Sequence, residues 1–262
     1  MESIKDKVAI VTGSATGIGA ATACKLAEGG CHVVINYTRS EKEAKETVSA
    51  CQKHGVETIL CKADVSEDAD CRRMVDEAIN KWGRIDALVN NAGTSKFVDH
   101  NDLEGLGRED FVRIFGVNVV GPYQMVRAVK PHMKKAGRGA IVNVASTAAL
   151  NGIGSSIAYA ASKGALVTMT LSLARNLGPE IRVNAVCPGF VQGRWLKGGL
   201  GDEMYEATRN FLEQSSPLGV TATPETVADA ILYFIAGAGI TTGETLIVDG
   251  GFHLNHVPLM RR

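Results

Sequence analysis

The chain has 262 residues, 28 acidic and 28 basic side chains, and 45% apolar residues. That is enough for one large α/β core. The neutral balance argues against a nucleic acid or an anionic membrane surface as partner. The six cysteines, at 24, 31, 51, 61, 71 and 187, form no CxxC, and no histidine stands at ligand spacing from them. Reduced thiols in a cytoplasmic protein are expected, and no metal site. His253 and His256 offer two ligands near the C-terminus, too few to hold a metal on their own. The opening MESIKDK has no apolar stretch to act as a signal. The longest apolar run, Ala230 to Gly239, is about half what a bilayer crossing needs, so it reads as a buried helix.

Val8 to Val11 is a continuous β-branched apolar run, as in a strand buried on both faces. TGSATGIG follows, Thr12 to Gly19, and then a helical pattern from Ala20 to Glu28. Strand, glycine turn and helix lay backbone N–H groups and a helix N-terminus against a pyrophosphate. Gly13 and Gly17 permit the tight turn, and Gly19 lets helix and strand pack closely; Ser14 lies inside the same loop. His32 to Tyr37 is the second strand, and its end is where a dinucleotide site selects its cofactor. An acid there would bind a ribose hydroxyl. This chain has Tyr37, Thr38, Arg39 and Ser40 instead. Arg39 offers a planar donor fork suited to a 2′-phosphate, or else it is a solvated loop residue. NADP(H) is expected over NAD(H), which stays possible.

Glu41 to His54 reads as helix, Glu57 to Lys62 as strand, and a helix follows from Ser66 to about Trp82. Between them, Asp64, beside Val65, either accepts from an adenine amino group or is a turn residue. Asp86 to Asn90 is a fourth strand, ending in Asn91, Ala92 and Gly93, small enough to pass close to a flat cofactor. Phe111 to about Lys135 is one long amphipathic helix with Asn118 inside it. Pro122 should kink that helix or force a rearrangement near Asn118. Ala140 to Ala145 is a fifth strand with Ser146 at its end, and Arg182 to Cys187 is a sixth, ending in Pro188 and Gly189. Val191 to Pro217 has five glycines or prolines among scattered apolar residues, the composition of a mobile lid with one short helix. Pro224 to Ala236 is helical, and Leu246 to Val248 is a last strand. No linker divides the chain, so 1–262 reads as a single domain.

Tyr159 and Lys163 stand four residues apart on the helix that runs to about Leu177, hence on one face. A phenol titrates near 10, and a neighbouring ammonium pulls it down towards useful acid–base chemistry. With TGxxxGxG at 12–19, NNAG at 90–93, Asn118, Ser146, YxxxK at 159–163 and PG at 188–189, the whole chain resembles a short-chain dehydrogenase/reductase. It is similar to the members that include 3-oxoacyl-carrier-protein reductases and glucose dehydrogenases. The resemblance implies a Rossmann-type doubly wound seven-stranded parallel sheet with helices on both faces. It also implies a homotetramer and NAD(P)-dependent conversion between an alcohol and a carbonyl. Tyr159 is then the general acid, Ser146 binds the substrate oxygen, and Lys163 holds the nicotinamide ribose and depresses the Tyr159 pKa. Asn118 holds a water of a proton relay. Thr16, Ile18, Asn91 and Val191 line the cofactor.

Two departures bear on the substrate. The family's threonine after the PG is replaced by Gly193, leaving Gln192 or a backbone group to substitute. The polar stretch from Ser95 to Asp110 extends the pocket rim. The expected activity is NADPH-dependent reduction of a ketone or 3-oxoacyl carbonyl. The alternatives are a sugar, polyol or steroid dehydrogenase and a non-catalytic cofactor-binding protein. A basic face at Arg127, Lys130, Lys134, Lys135 and Arg138 suits an acidic carrier protein, or is simply solvated.

Overall fold

A computed structural model describes residues 2–255, so His256 lies outside the described residues. Seven parallel strands stand in the order β3-β2-β1-β4-β5-β6-β7. They are β1 (Val8–Val11), β2 (His32–Tyr37), β3 (Thr58–Lys62), β4 (Ala87–Asn90), β5 (Gly139–Val144), β6 (Ile181–Pro188) and β7 (Thr245–Val248). Each lies within a residue of its expected bounds, because runs such as VAIV and VVI are apolar on both faces. Alternation along the strands divides the core in two. Ala9, Val11, Val33, Ile35 and Val89 pack on one side with Leu26, Val227 and Phe234. Val8, Ile10, Val34 and Leu88 pack on the other with Met74, Met125 and Met133. The helices facing the first core are α1 (Gly17–Glu28), α2 (Glu41–Gln52) and α10 (Pro224–Leu232). Those facing the second include α3 (Asp68–Trp82), α5 (Gly121–Lys135) and α7 (Ile157–Leu177).

Helix α7 is long and apolar enough to cross a membrane, unlike the run at 230–239. Its buried Ser162, Lys163 and Thr170, and its packing against β6, are those of the core helix of a folded domain. The long helix expected from Phe111 is broken. It starts earlier, as α4 (Arg108–Phe115), widens into a π-turn at Gly116–Val120 and resumes as α5. Pro122 supplies the reason: it brings no N–H to the carbonyl of Asn118, four residues before it, and crowds that turn.

The segment 191–217, expected to be a mobile lid with one short helix, holds two helices. After the single turn α6 (Ala148–Asn151) and α7 come α8 (Arg194–Leu200) and α9 (Asp202–Ser215). Gly201, with φ +78°, makes the break between them. Gly198 and Gly199, which suggested loop, are helical, and a side chain at 199 would crowd the Phe97 ring. A Cβ there would lie 2.1 Å from Cζ of Phe97.

Candidate active site

The strand order reverses between β1 and β4, and a cleft opens across the carboxyl ends of the strands, as doubly wound sheets require. It measures about 2160 Å³. At one end lies the glycine loop. Gly13 holds φ +61°, and a Cβ on it would stand 2.9 Å from the Ala92 Cα. A Cβ on Gly19 would meet the Gly13 carbonyl oxygen at 2.4 Å, so this glycine serves packing rather than contact with a ligand. Asn91 braces the loop, donating from Nδ2 to the carbonyls of Thr12 (2.9 Å) and Gly13 (3.0 Å). Thr16 caps α1 only through its backbone; its side chain accepts from none of the helix's first amides. Those donors face an anion-sized space, and the residues present fit the pyrophosphate of a dinucleotide.

Gly13, Thr16, Gly17, Ile18, Arg39, Asp64, Val65, Asn91, Ala92, Gly93, Pro188, Gly189 and Val191 all line the cleft as expected. Four expected contacts do not: Ser14, Gly19, Tyr37 and Ser40. Ser14 is fully buried; its hydroxyl donates to the Val11 carbonyl at 2.7 Å and accepts from the Asn36 N–H at 2.9 Å. Tyr37 alternates inward at the end of β2 and joins the core. Ser40 does not line the cleft itself but faces Arg194 at its mouth. Asp64 behaves as the turn residue, its Oδ1 accepting from the Ser66 N–H and hydroxyl. Asn36 was missed: its Oδ1 accepts from Gly13 N–H at 2.9 Å while Nδ2 donates to Cys61 and Ala63, tying the ends of three strands together.

At the other end stand Ser146, Tyr159 and Lys163. Ser156 caps α7, its hydroxyl accepting from the Tyr159 N–H at 3.3 Å, and this sets where the catalytic turn begins. Burial pushes the Tyr159 phenol up to about 12, opposed by the Ser146 hydroxyl. Burial also pulls Lys163 down to about 8. The expected depression of Tyr159 by Lys163 is therefore absent from the protein by itself. The lysine Nζ sits 5.7 Å from the ring centroid and donates to the Val144 carbonyl at 2.7 Å. Desolvation outweighs charge here.

Asn118 is also differently occupied than expected. It is wholly buried. Its Oδ1 accepts from Thr94 N–H (2.8 Å), and Nδ2 donates to the Thr94 carbonyl (3.0 Å) and Ser162 Oγ (2.9 Å). The side chain thus clamps the loop after β4 onto α7. Pro122, four residues on, supplies no N–H to the Asn118 backbone carbonyl.

The segment after β6 covers the Tyr159 end of the cleft. Trp195 lies 5.7 Å from the Tyr159 ring and 5.4 Å from Phe97, centroid to centroid. Gly193 holds φ +148°, which a threonine would resist, and its N–H donates to the Tyr205 hydroxyl at 3.2 Å. Gln192 lines the cleft nearby, with its Nε2 donating to Thr221 Oγ1 at 3.0 Å. Among the described residues no cluster of three metal-ligating side chains occurs, and His253 instead bonds Asp249 at 2.9 Å.

A family model described as "Enoyl-(Acyl carrier protein) reductase" matches residues 13–253. A relative named "Granaticin polyketide synthase putative ketoacyl reductase 2", from Streptomyces violaceoruber, is 42% identical over 94% of this chain and 96% of its own. The chain belongs to the short-chain dehydrogenase/reductase family. A solved short-chain dehydrogenase/reductase from Burkholderia xenovorans superposes with a TM-score of 0.88 at 40% identity, covering 95% of this chain and 98% of that one. An NAD+-bound xylitol dehydrogenase gives 0.85 at 28%, covering 95% and 100%. As a short-chain dehydrogenase/reductase, the protein is an NAD(P)(H)-binding oxidoreductase acting between CH–OH and C=O.

Proposed function

We propose that this enzyme is an NADPH-dependent carbonyl reductase that converts a ketone or 3-oxoacyl group to a secondary alcohol. The observation carrying the reading is Tyr159 with Ser146 beside it, half-buried at the cleft end and walled by Phe97 and Trp195. The bound reduced nicotinamide would supply the hydride to the carbonyl carbon. Ser146 donates to the carbonyl oxygen and fixes it against the phenol. Tyr159 gives that oxygen its proton as charge develops; a phenol held up near 12 keeps the proton until then. Lys163 presents its amine to the nicotinamide ribose. The Asn118 carbonyl holds the water through which Tyr159 is reprotonated.

NADPH is favoured by Arg39, exposed at the cleft mouth after β2 with no acid at the strand end itself. The xylitol dehydrogenase likeness supports a second reading, polyol oxidation. One observation weighs against it: an aromatic wall suits an apolar carbonyl better than a polyol. Six free thiols support a cytoplasmic setting. Exposed Val112, Val120 and Tyr123 on the face formed by α4 and α5 support assembly into a homotetramer. The test is a panel of ketones, polyols and 3-oxoacyl thioesters with NADPH and NADH, read by absorbance of the reduced cofactor. Turnover confined to polyols with NAD+ would sink the reading.

A further inference from the structure

The lid carries an arginine that the reaction leaves without a task. Arg194 opens α8, and its guanidinium crosses the mouth of the cleft to the cofactor end. Nη1 reaches Glu43 Oε1 at 2.6 Å, and Nη2 meets Ser40 Oγ at 3.1 Å and Thr16 Oγ1 at 3.3 Å. Two hydroxyls from different helices thus face one nitrogen. Thr16 and Ser40 are the N-caps of α1 and α2, and neither spends its side chain on its own helix. Ser40 and Glu43 follow closely on Arg39, at the strand end where the adenosine ribose lies. The pyrophosphate belongs further in, on the amides of Gly17 to Gly19.

Glu43 is the awkward member. A carboxylate one turn into α2 repels a 2′-phosphate and welcomes a 2′-hydroxyl, which would select NAD. Arg194 covers it, and the hydrogen bond it donates holds the Glu43 carboxyl below the ordinary value. Their side chains are 57% and 35% exposed, so the pair adds little to fold stability and exchanges partners readily.

We propose that Arg194 is a cofactor-specificity residue delivered by the lid: it neutralises Glu43 and completes, with Arg39, Ser40 and Thr16, the pocket for the adenosine 2′-phosphate. This rests on the NADPH reading above. It makes closure of the substrate lid and recognition of the cofactor's far end one event, since the same short helix places Trp195 over Tyr159 and Arg194 over Ser40.

The test is direct binding of NADPH and NADH to purified enzyme, followed by fluorescence of the reduced cofactor, in wild type, Arg194→Ala, Glu43→Gln and the double variant. Losing a charge-assisted contact weakens binding about ten- to hundredfold. Arg194→Ala should lose that factor for NADPH and almost nothing for NADH. Adding Glu43→Gln to it should restore part of the NADPH affinity, because the uncovered carboxylate is then gone. Equal loss for both cofactors, or no loss, would overturn the proposal, as would a double variant no better than Arg194→Ala. Wild-type protein that binds NADH as tightly as NADPH would instead overturn the parent reading.

Discussion

Replacing Asn118 by aspartate changes one atom and inverts a hydrogen-bond pattern. In the native enzyme Thr94 N–H must donate and the Thr94 carbonyl must accept, so the amide orientation is fixed. The Ser162 hydroxyl donates to the Tyr159 carbonyl at 2.7 Å, so it too must accept from residue 118. An ionised carboxylate in this place keeps the bond from Thr94 N–H and sets an anionic oxygen against two acceptors, in a position with no exposed surface. Two donor bonds are lost at about 1 kcal/mol each, and a buried unsatisfied group adds about 1–3 kcal/mol. The expected loss is thus about 3–5 kcal/mol at pH 7. Protonation relieves part of it, because a carboxylic acid removes the buried charge and restores one of the two donor bonds. The folded-state pKa of the introduced carboxyl is therefore raised, and the variant's deficit shrinks as pH falls towards the ordinary aspartate value. Urea unfolding midpoints of wild type and Asn118→Asp, compared at pH 7 and near pH 5, measure this. A variant as stable as wild type at pH 7, or a deficit that does not move with pH, would refute the clamp.

Lys163 gives a second pH signature. Its folded-state pKa is about 8 against an ordinary 10.5, so the folded protein releases this proton before the unfolded chain does. Wild-type stability should rise relative to Lys163→Met as pH climbs through that window, read as the difference in thermal midpoints; a constant difference contradicts the buried amine. Lys163→Ala should also weaken cofactor binding and slow turnover together, separable by titration and steady-state kinetics. Amide exchange across Val191 to Pro217 should slow on adding NADPH and a substrate analogue, and equal protection with and without them would make the segment a fixed wall. Gly199→Ala drives a methyl into the Phe97 ring, so it should loosen α8 and raise KM more than it lowers kcat.

The strands were legible because their apolar runs are buried on both faces, and the glycine loop because only glycine fits at Gly13 and Gly19. The candidate catalytic residues follow from spacing and family resemblance. What side chains do once folded was less legible. Nothing in the sequence says that Asn118 would spend its amide on Thr94 and Ser162, or that burial would outweigh Lys163 at Tyr159. Those depend on contacts between residues tens of positions apart. Asn36 left a usable signal, a polar residue at the end of a buried strand. Arg194 left none, since its partners lie more than 150 residues away in Glu43 and Ser40. Helix α8 was hidden by Gly198 and Gly199, which local composition reads as loop; at Gly199 a side chain would meet Phe97.

The account turns on Tyr159 as the proton donor, and Tyr159→Phe tests it with the least disturbance, since the ring stays and only the hydroxyl goes. With the best ketone found for wild type, kcat should fall by about 10²–10⁴-fold, the usual share of a positioned general acid. NADPH affinity and the unfolding midpoint should stay close to wild type, because the change removes only a hydroxyl from a position that packs a ring. Near-normal turnover by Tyr159→Phe would contradict the mechanism and leave the cleft as a binding site whose chemistry lies elsewhere.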